Sequence, residues 1–131
     1  MNPTLRAAHA LQPLLREHAA AIEQQRGLGS AVFSALDAIG AFNLQLDRVH
    51  GGANLDPVSY LQVIEALSRG DASAGWCAMV ASESSGCVAA YLDPDVADAI
   101  LRTAPRTIVA FTAVGAGRAV ETSDGFRVSG R

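Results

Sequence analysis

The chain has 131 residues, half of them hydrophobic, with a net charge of -3, enough apolar material for one domain's core. Its ten cations are all Arg, spread singly between acids, so no basic stripe is present to follow a phosphate backbone and nucleic-acid binding is not expected. No apolar run approaches the eighteen or so residues needed to span a bilayer, and residues 1–16 lack the charged start and hydrophobic block of a secretory leader, which points to a cytoplasmic protein without a membrane role.

Leu11, Leu14, Leu15, His18 and Ile22 recur at three- and four-residue spacing opposite Arg16, Glu17 and Glu23, describing an amphipathic first helix that ends near Gly27. Ser30 is placed to cap a second helix whose stripe is Val32 or Phe33, Leu36 and Ile39, with Gly40 as its stop. Residues 43–55 read as a loop containing His50-Gly51-Gly52, where the glycines permit backbone angles other residues resist. Asp56-Pro57 joins an N-cap acid to a proline in the first helical turn and opens a third helix, with Val58, Leu61, Ile64 and Leu67 as its apolar face.

Asp71 caps a fourth helix running from Ala72 to about Leu92, apolar or small nearly all round and hence expected to be buried on most sides. Asp93-Pro94 repeats the cap-and-proline signal for a fifth helix through Val96, Ile100 and Leu101, and Pro105 ends helical structure. From Thr107 the period changes: the run 108–112 has strand length, 118–122 is a second strand, and Asp124-Gly125 marks a hairpin leading into Phe126 and Val128. The fold class expected is therefore mainly α: a five-helix bundle over residues 1–105, followed over 106–131 by the first strands of an antiparallel β-domain whose remainder is not encoded.

Cys77 and Cys87 lie ten residues apart on one helix, about 15 Å of rise, beyond disulfide reach. They read as free thiols. His9 and His18 have the wrong spacing for a helical zinc pair and His50 has no sequence-visible partner, so no metal site is expected. Trp76, Met79 and Glu83 share a face of the fourth helix at helical spacing, with Ser82 and Ser85 beside them. Glu83 stands out, because a carboxylate in an apolar helix must reach solvent, find a partner or shift its pKa.

Several of these segments together resemble one family. Leu36-Asp37-Ala38-Ile39-Gly40-Ala41-Phe42, Val49-His50-Gly51-Gly52, residues 60–76 (YLQVIEALSRGDASAGW) and residues 125–131 (GFRVSGR) occur in the order and spacing of the N-terminal part of the acyl-CoA dehydrogenase superfamily. Within it they are most similar to the two-component flavin-dependent monooxygenases. That resemblance implies a three-part subunit, with a helical N-terminal domain over the substrate, a central β-domain, a C-terminal helical bundle that builds a homo-oligomer, and flavin between the last two.

It further implies FAD or FMN in the parent protein, a flavin reductase as partner, and a small hydrophobic or aromatic substrate. Thr112 corresponds to the family's first flavin-contact strand, with Gly115 and Gly117 in the turn after it, and the fourth-helix residues Trp76, Met79, Ser82, Glu83 and Ser85 correspond to the substrate side. Ala113-Val114 and Arg118-Ala119 stand where the dehydrogenases have Glu-Pro and Ser-Asp, which favours the monooxygenase branch. The second flavin-clasping segment and the dehydrogenase catalytic carboxylate would lie beyond Arg131, so the chain alone is expected to be inactive and to bind no cofactor. The alternatives are an acyl-CoA dehydrogenase proper, or a non-catalytic helical module that associates through an open sheet edge.

Overall fold

A computed structural model describes residues 2–102, 107–111, 114, 115 and 117–130. The described residues form five helices, α1 (Pro3–Gln25), α2 (Gly29–Ala38), α3 (Pro57–Ser68), α4 (Ala72–Tyr91) and α5 (Pro94–Leu101), a short 3-10 turn at Ala41–Asn43, and two strands, β1 (Arg118–Thr122) and β2 (Gly125–Ser129). The mainly α class and the five-helix count agree with the sequence reading. None of the described helices is both long enough and apolar enough to cross a membrane.

Three of the five helices begin with the same device, an Asx side chain capping a helix whose first residue is proline. Asn2 accepts from the Thr4 backbone N–H at 2.8 Å, Asp56 from those of Val58 and Ser59, and Asp93 from that of Asp95. The proline lacks only an N–H that would have no helical partner in the first turn. Asp71 caps α4 through the Ala74 N–H at 2.8 Å. Helix α2 is the exception: it starts at Gly29 with no side-chain cap, so Ser30 lies inside the helix.

The main core is built by α1, α2, α3, α4 and the 3-10 turn around the fully buried Leu15, Val32, Leu36, Phe42, Val63 and Leu67. Each such side chain contributes roughly 1.5–3 kcal/mol by leaving water. Polar ties fix α1 along α3, with Gln12 Nε2 donating to the Ala66 carbonyl at 2.9 Å and Arg16 reaching the Arg69 carbonyl. The face of α3 agrees with the expected one at Leu67, which is buried, and Ile64, which packs against the core, and differs at Val58 and Leu61. Tyr60, Val63, Ala66 and Leu67 are buried, whereas Val58 and Leu61 are 65% and 64% exposed. Both stripes are apolar at helical spacing, and the packing of α1 and α4 decides which is covered.

Helix α4 is also more one-sided than its composition suggests. It buries Ala74, Gly75, Ala78, Ala81, Ser82, Ser84 and Ser85, and turns Trp76 outward. Small residues permit contact between backbones. Gly75 lies so close to Ser68 of α3 that a Cβ there would overlap the Ser68 hydroxyl.

Helix α5 sits apart on a satellite cluster of three buried residues, Leu46, Ala97 and Leu101, with Val88, Ala89 and Val109 packed around them. The loop supplying Leu46 folds back on itself, with Gly52 N–H donating to Asp47 O at 2.8 Å, Asn54 N–H to Leu46 O at 2.9 Å and Leu55 N–H to Leu44 O at 2.9 Å.

Residues 107–111 are not a strand. The expected β-run from 108 has no ladder partner among the described residues, and Val109 packs on the satellite cluster instead. Strands β1 and β2 form an antiparallel hairpin in which Arg118 pairs with Ser129 and Thr122 with Gly125, as the Asp124-Gly125 signal predicts. Both strands are exposed along their whole length.

Candidate functional site

The exposed side of α4 meets α2, the 3-10 turn and residues 108–110 in an apolar cavity of about 300 Å3. Phe33 and Phe42 form one wall, stacked with ring centroids 5.3 Å apart and 28° between planes. Trp76, Val80 and Cys77 supply the α4 side and Ile108 belongs to the lining. Trp76 is 64% exposed, so the cavity opens past its indole. No charged side chain lines the space, and its size is at the low end for small-molecule sites. Such a chamber rewards desolvation of a flat or aliphatic apolar group and offers nothing to a phosphate or carboxylate. Burial, and then the charge of Asp71, pushes the Cys77 thiol up, leaving it a poor nucleophile at neutral pH.

A second, shallower cleft lies further along α4 and holds Glu83, Gln45, Tyr91 and Phe111. Glu83 has found a partner: Tyr60 Oη donates to Glu83 Oε1 at 3.1 Å. Burial, followed by the Glu83 charge, pushes ionisation of Tyr60 well above its ordinary range. The pair ties α3 to α4 and leaves the carboxylate on the cleft.

A third polar group joins the loop to α5. His50 Nδ1 is 2.6 Å from Asp47 Oδ1, and Nε2 is 2.9 Å from Asp98 Oδ1. The His50 backbone N–H also donates to Asp47 Oδ1 at 2.9 Å. That bond first, and the ring second, hold the Asp47 carboxyl below its ordinary value. Among the described residues, no group of three or more His, Cys, Asp and Glu side chains is arranged to hold a metal ion.

A family model described as the N-terminal domain of acyl-CoA dehydrogenase matches residues 6–103. The chain belongs to the acyl-CoA dehydrogenase family. Over 109 residues it is 28% identical to an indole-3-acetate monooxygenase of Pseudomonas putida, an overlap of 83% of this chain and 28% of that protein. Over 126 residues it is 26% identical to HsaA, the oxygenase subunit of a flavin-dependent monooxygenase of Mycobacterium tuberculosis (strain CDC 1551 / Oshkosh), an overlap of 96% of this chain and 32% of that protein. The chain thus spans about a third of the length of the curated relatives it matches.

Against this acyl-CoA dehydrogenase frame, the residues singled out from sequence fall into separate environments. Trp76 lines the apolar cavity, Glu83 the second cleft, and Met79 packs on the main core. Ser82 is buried, its Oγ accepting from the Gln45 N–H at 3.0 Å. Ser85 is buried with its hydroxyl unpaired among the described residues. Thr112 lies outside the described residues. Gly115 and Gly117 are exposed in the segment before β1.

An exposed turn and an exposed hairpin form at most one open wall, whereas a bound cofactor needs most of its surface enclosed. The described residues therefore do not fit a flavin by themselves. Phe33, Phe42 and Ile108 complete the cavity without having been singled out. Phe33 was legible only as an alternative to Val32 in the α2 stripe, and it is Val32 that enters the core.

Proposed function

We propose that this chain forms the helical, substrate-facing part of the oxygenase component of a flavin-dependent monooxygenase. Its residues 1–105 form the helical domain and 106–131 begin the β-domain. In this reading the parent protein uses FAD or FMN, supplied reduced by a separate flavin reductase, works as a homo-oligomer, and hydroxylates a small hydrophobic or aromatic substrate. The single observation that carries it is the uncharged cavity walled by Phe33, Phe42 and Trp76 in a member of this family. The names of the relatives, both monooxygenases and one of them an oxygenase subunit, support the same choice. The protein's share in the chemistry is to desolvate and orient the apolar substrate.

The chain contains a single Trp. Its indole N–H therefore gives one resonance in a nitrogen-15 correlation spectrum. Titration with phenol or toluene should shift that resonance saturably, and Phe33→Ala should weaken the effect, while hexanoyl-CoA should leave it in place. A shift with the acyl thioester and none with the aromatics would favour a dehydrogenase and overturn the proposal. For the reaction, the parent protein mixed with a flavin reductase, NADH, flavin and labelled dioxygen should place one oxygen atom of the gas in a phenolic product.

A further inference from the structure

We propose that His50 is a proton-operated latch holding α5, and with it the 107–111 wall of the apolar cavity, onto the rest of the helical domain. The His50 ring lies between two carboxylates on different elements, Asp47 on its own loop and Asp98 on α5, with one ring nitrogen within hydrogen-bond distance of each. A neutral imidazole has one N–H and one lone pair. It can donate to only one of the two, and the other contact then sets a lone pair against a carboxylate oxygen. Both contacts become donated hydrogen bonds only when the ring carries its second proton, and both are then charge-assisted.

The ring is largely covered, its side chain 13% exposed, whereas the Asp47 and Asp98 carboxylates are about half exposed, so water takes up part of the lost contact and the effect is that of one partly solvated hydrogen bond. The remaining charged groups on the two elements are Arg48 beside the loop turn, the α5 N-cap Asp93, and Asp95 and Arg102 one turn either side of Asp98, while α4 meets the neighbouring Leu46, Ala97 and Leu101 with the uncharged Val88 and Ala89.

What makes the contact consequential is how little else seats α5. The helix is eight residues long and its buried side chains are Ala97 and Leu101. These meet Leu46, from the same loop as His50, in the cluster against which Val109 packs. Val109, with Ile108, is also part of the cavity wall. Losing the Asp98 bond therefore loosens an element whose displacement shifts one wall of the cavity. The latch closes when the ring takes up its second proton and slackens when it gives that proton up.

Amide exchange of the full chain at pH 5.5 and pH 8, converted to protection factors so that the intrinsic pH dependence of exchange is removed, tests the latch directly. Protection at residues 97–102 should fall by about three- to tenfold at the higher pH, the range of one partly exposed charge-assisted hydrogen bond, with α1 and α3 unchanged. His50→Gln and Asp98→Asn should both be insensitive to pH at α5, and far-UV circular dichroism shows whether each remains folded. Direct detection of the His50 ring nitrogens should show both protonated at pH 5.5.

An α5 protection that is flat in the natural chain, or that keeps its pH dependence in His50→Gln, overturns the latch. Its bearing on the cavity rests on the function proposed above and is read separately, as a weaker phenol-induced shift of the Trp76 resonance at pH 8. If aromatics bind at neither pH while α5 protection still switches, the cavity reading fails and the latch stands.

Discussion

Two glycines on α4, Gly75 and Gly86, should respond to the same substitution with opposite signs. Each has helical backbone angles, so replacement by Ala removes the flexibility penalty of Gly and on propensity alone stabilises by up to about 1 kcal/mol. At Gly86 nothing lies within 4 Å of the added methyl, and that gain should appear nearly whole. At Gly75 the methyl overlaps Ser68 Oγ and lies 3.0 Å from both Ser68 Cα and Cβ. The hydroxyl can rotate away, but the backbone carbon can yield only if α3 and α4 move apart. Overpacking of that kind costs about 1–3 kcal/mol, so the net effect of Gly75→Ala is a loss of up to about 2 kcal/mol. In a domain of this size the expected shifts are a melting temperature up to about 6 °C lower for Gly75→Ala and up to about 3 °C higher for Gly86→Ala. Urea titration at constant m checks both, and Ser68→Ala should return part of the loss in a double-mutant cycle. If both glycine substitutions stabilise, the close approach of α3 and α4 at Ser68 is wrong.

The two cysteines should separate kinetically: Cys87 is exposed, whereas Cys77 is half-covered with its thiol pushed up, so Cys87 should react first with a disulfide reagent at pH 7.5, which mass spectrometry of partly labelled chain would show. Asp47 is held below its ordinary value of 3.8, so it stabilises the fold above that pH and the contribution is lost as pH falls through the folded value; Asp47→Asn should flatten the acid limb of a stability profile between about pH 2 and 5, and an unchanged limb would refute the assignment. Tyr60 shifts the other way. Its phenol stays protonated in the folded chain while the unfolded chain ionises near pH 10, so stability should fall as pH rises above 10, and Tyr60→Phe should remove that fall in an alkaline melt.

Local signals in the sequence were reliable where one residue's chemistry decides the backbone. Asp56-Pro57, Asp71 and Asp93-Pro94 each begin a helix, and Asp124-Gly125 turns a hairpin, because these choices need no distant partner. The faces of α3 and α4 were less legible, since an apolar period says that a face can be buried and not which one a neighbour will select. Val58 and Leu61 lost to Tyr60 and Val63 once α1 and α4 were in place, and the largest residue of α4 was left outside while Ala74, Ala78, Ala81, Ser82, Ser84 and Ser85 went in. Apolar text at 108–111 resembled a strand because β propensity describes a packed extended segment, but a strand also needs a neighbour's ladder. No partner for His50 is evident from the sequence pattern, yet Asp47 stands three residues before it and contacts its ring; only Asp98 was hidden, because it is far along the chain and the fold alone brings it near. Of the cavity, Trp76 was legible as a special residue, whereas Phe33, Phe42 and Ile108 converge on it from elements whose relative placement no single-chain pattern encodes.

The second glycine after His50 sets a tolerance for the whole end of the molecule. A methyl group at Gly52 would coincide with the Leu46 carbonyl, so the loop can double back at this width only because position 52 carries a hydrogen. Leu46 is the floor on which Ala97 and Leu101 rest. The thinnest residue of the loop thus acts as a shim: thicken it, and the misfit is carried through Leu46 to α5 and on to Val109, where a ligand would register a change made on the far side of the helix.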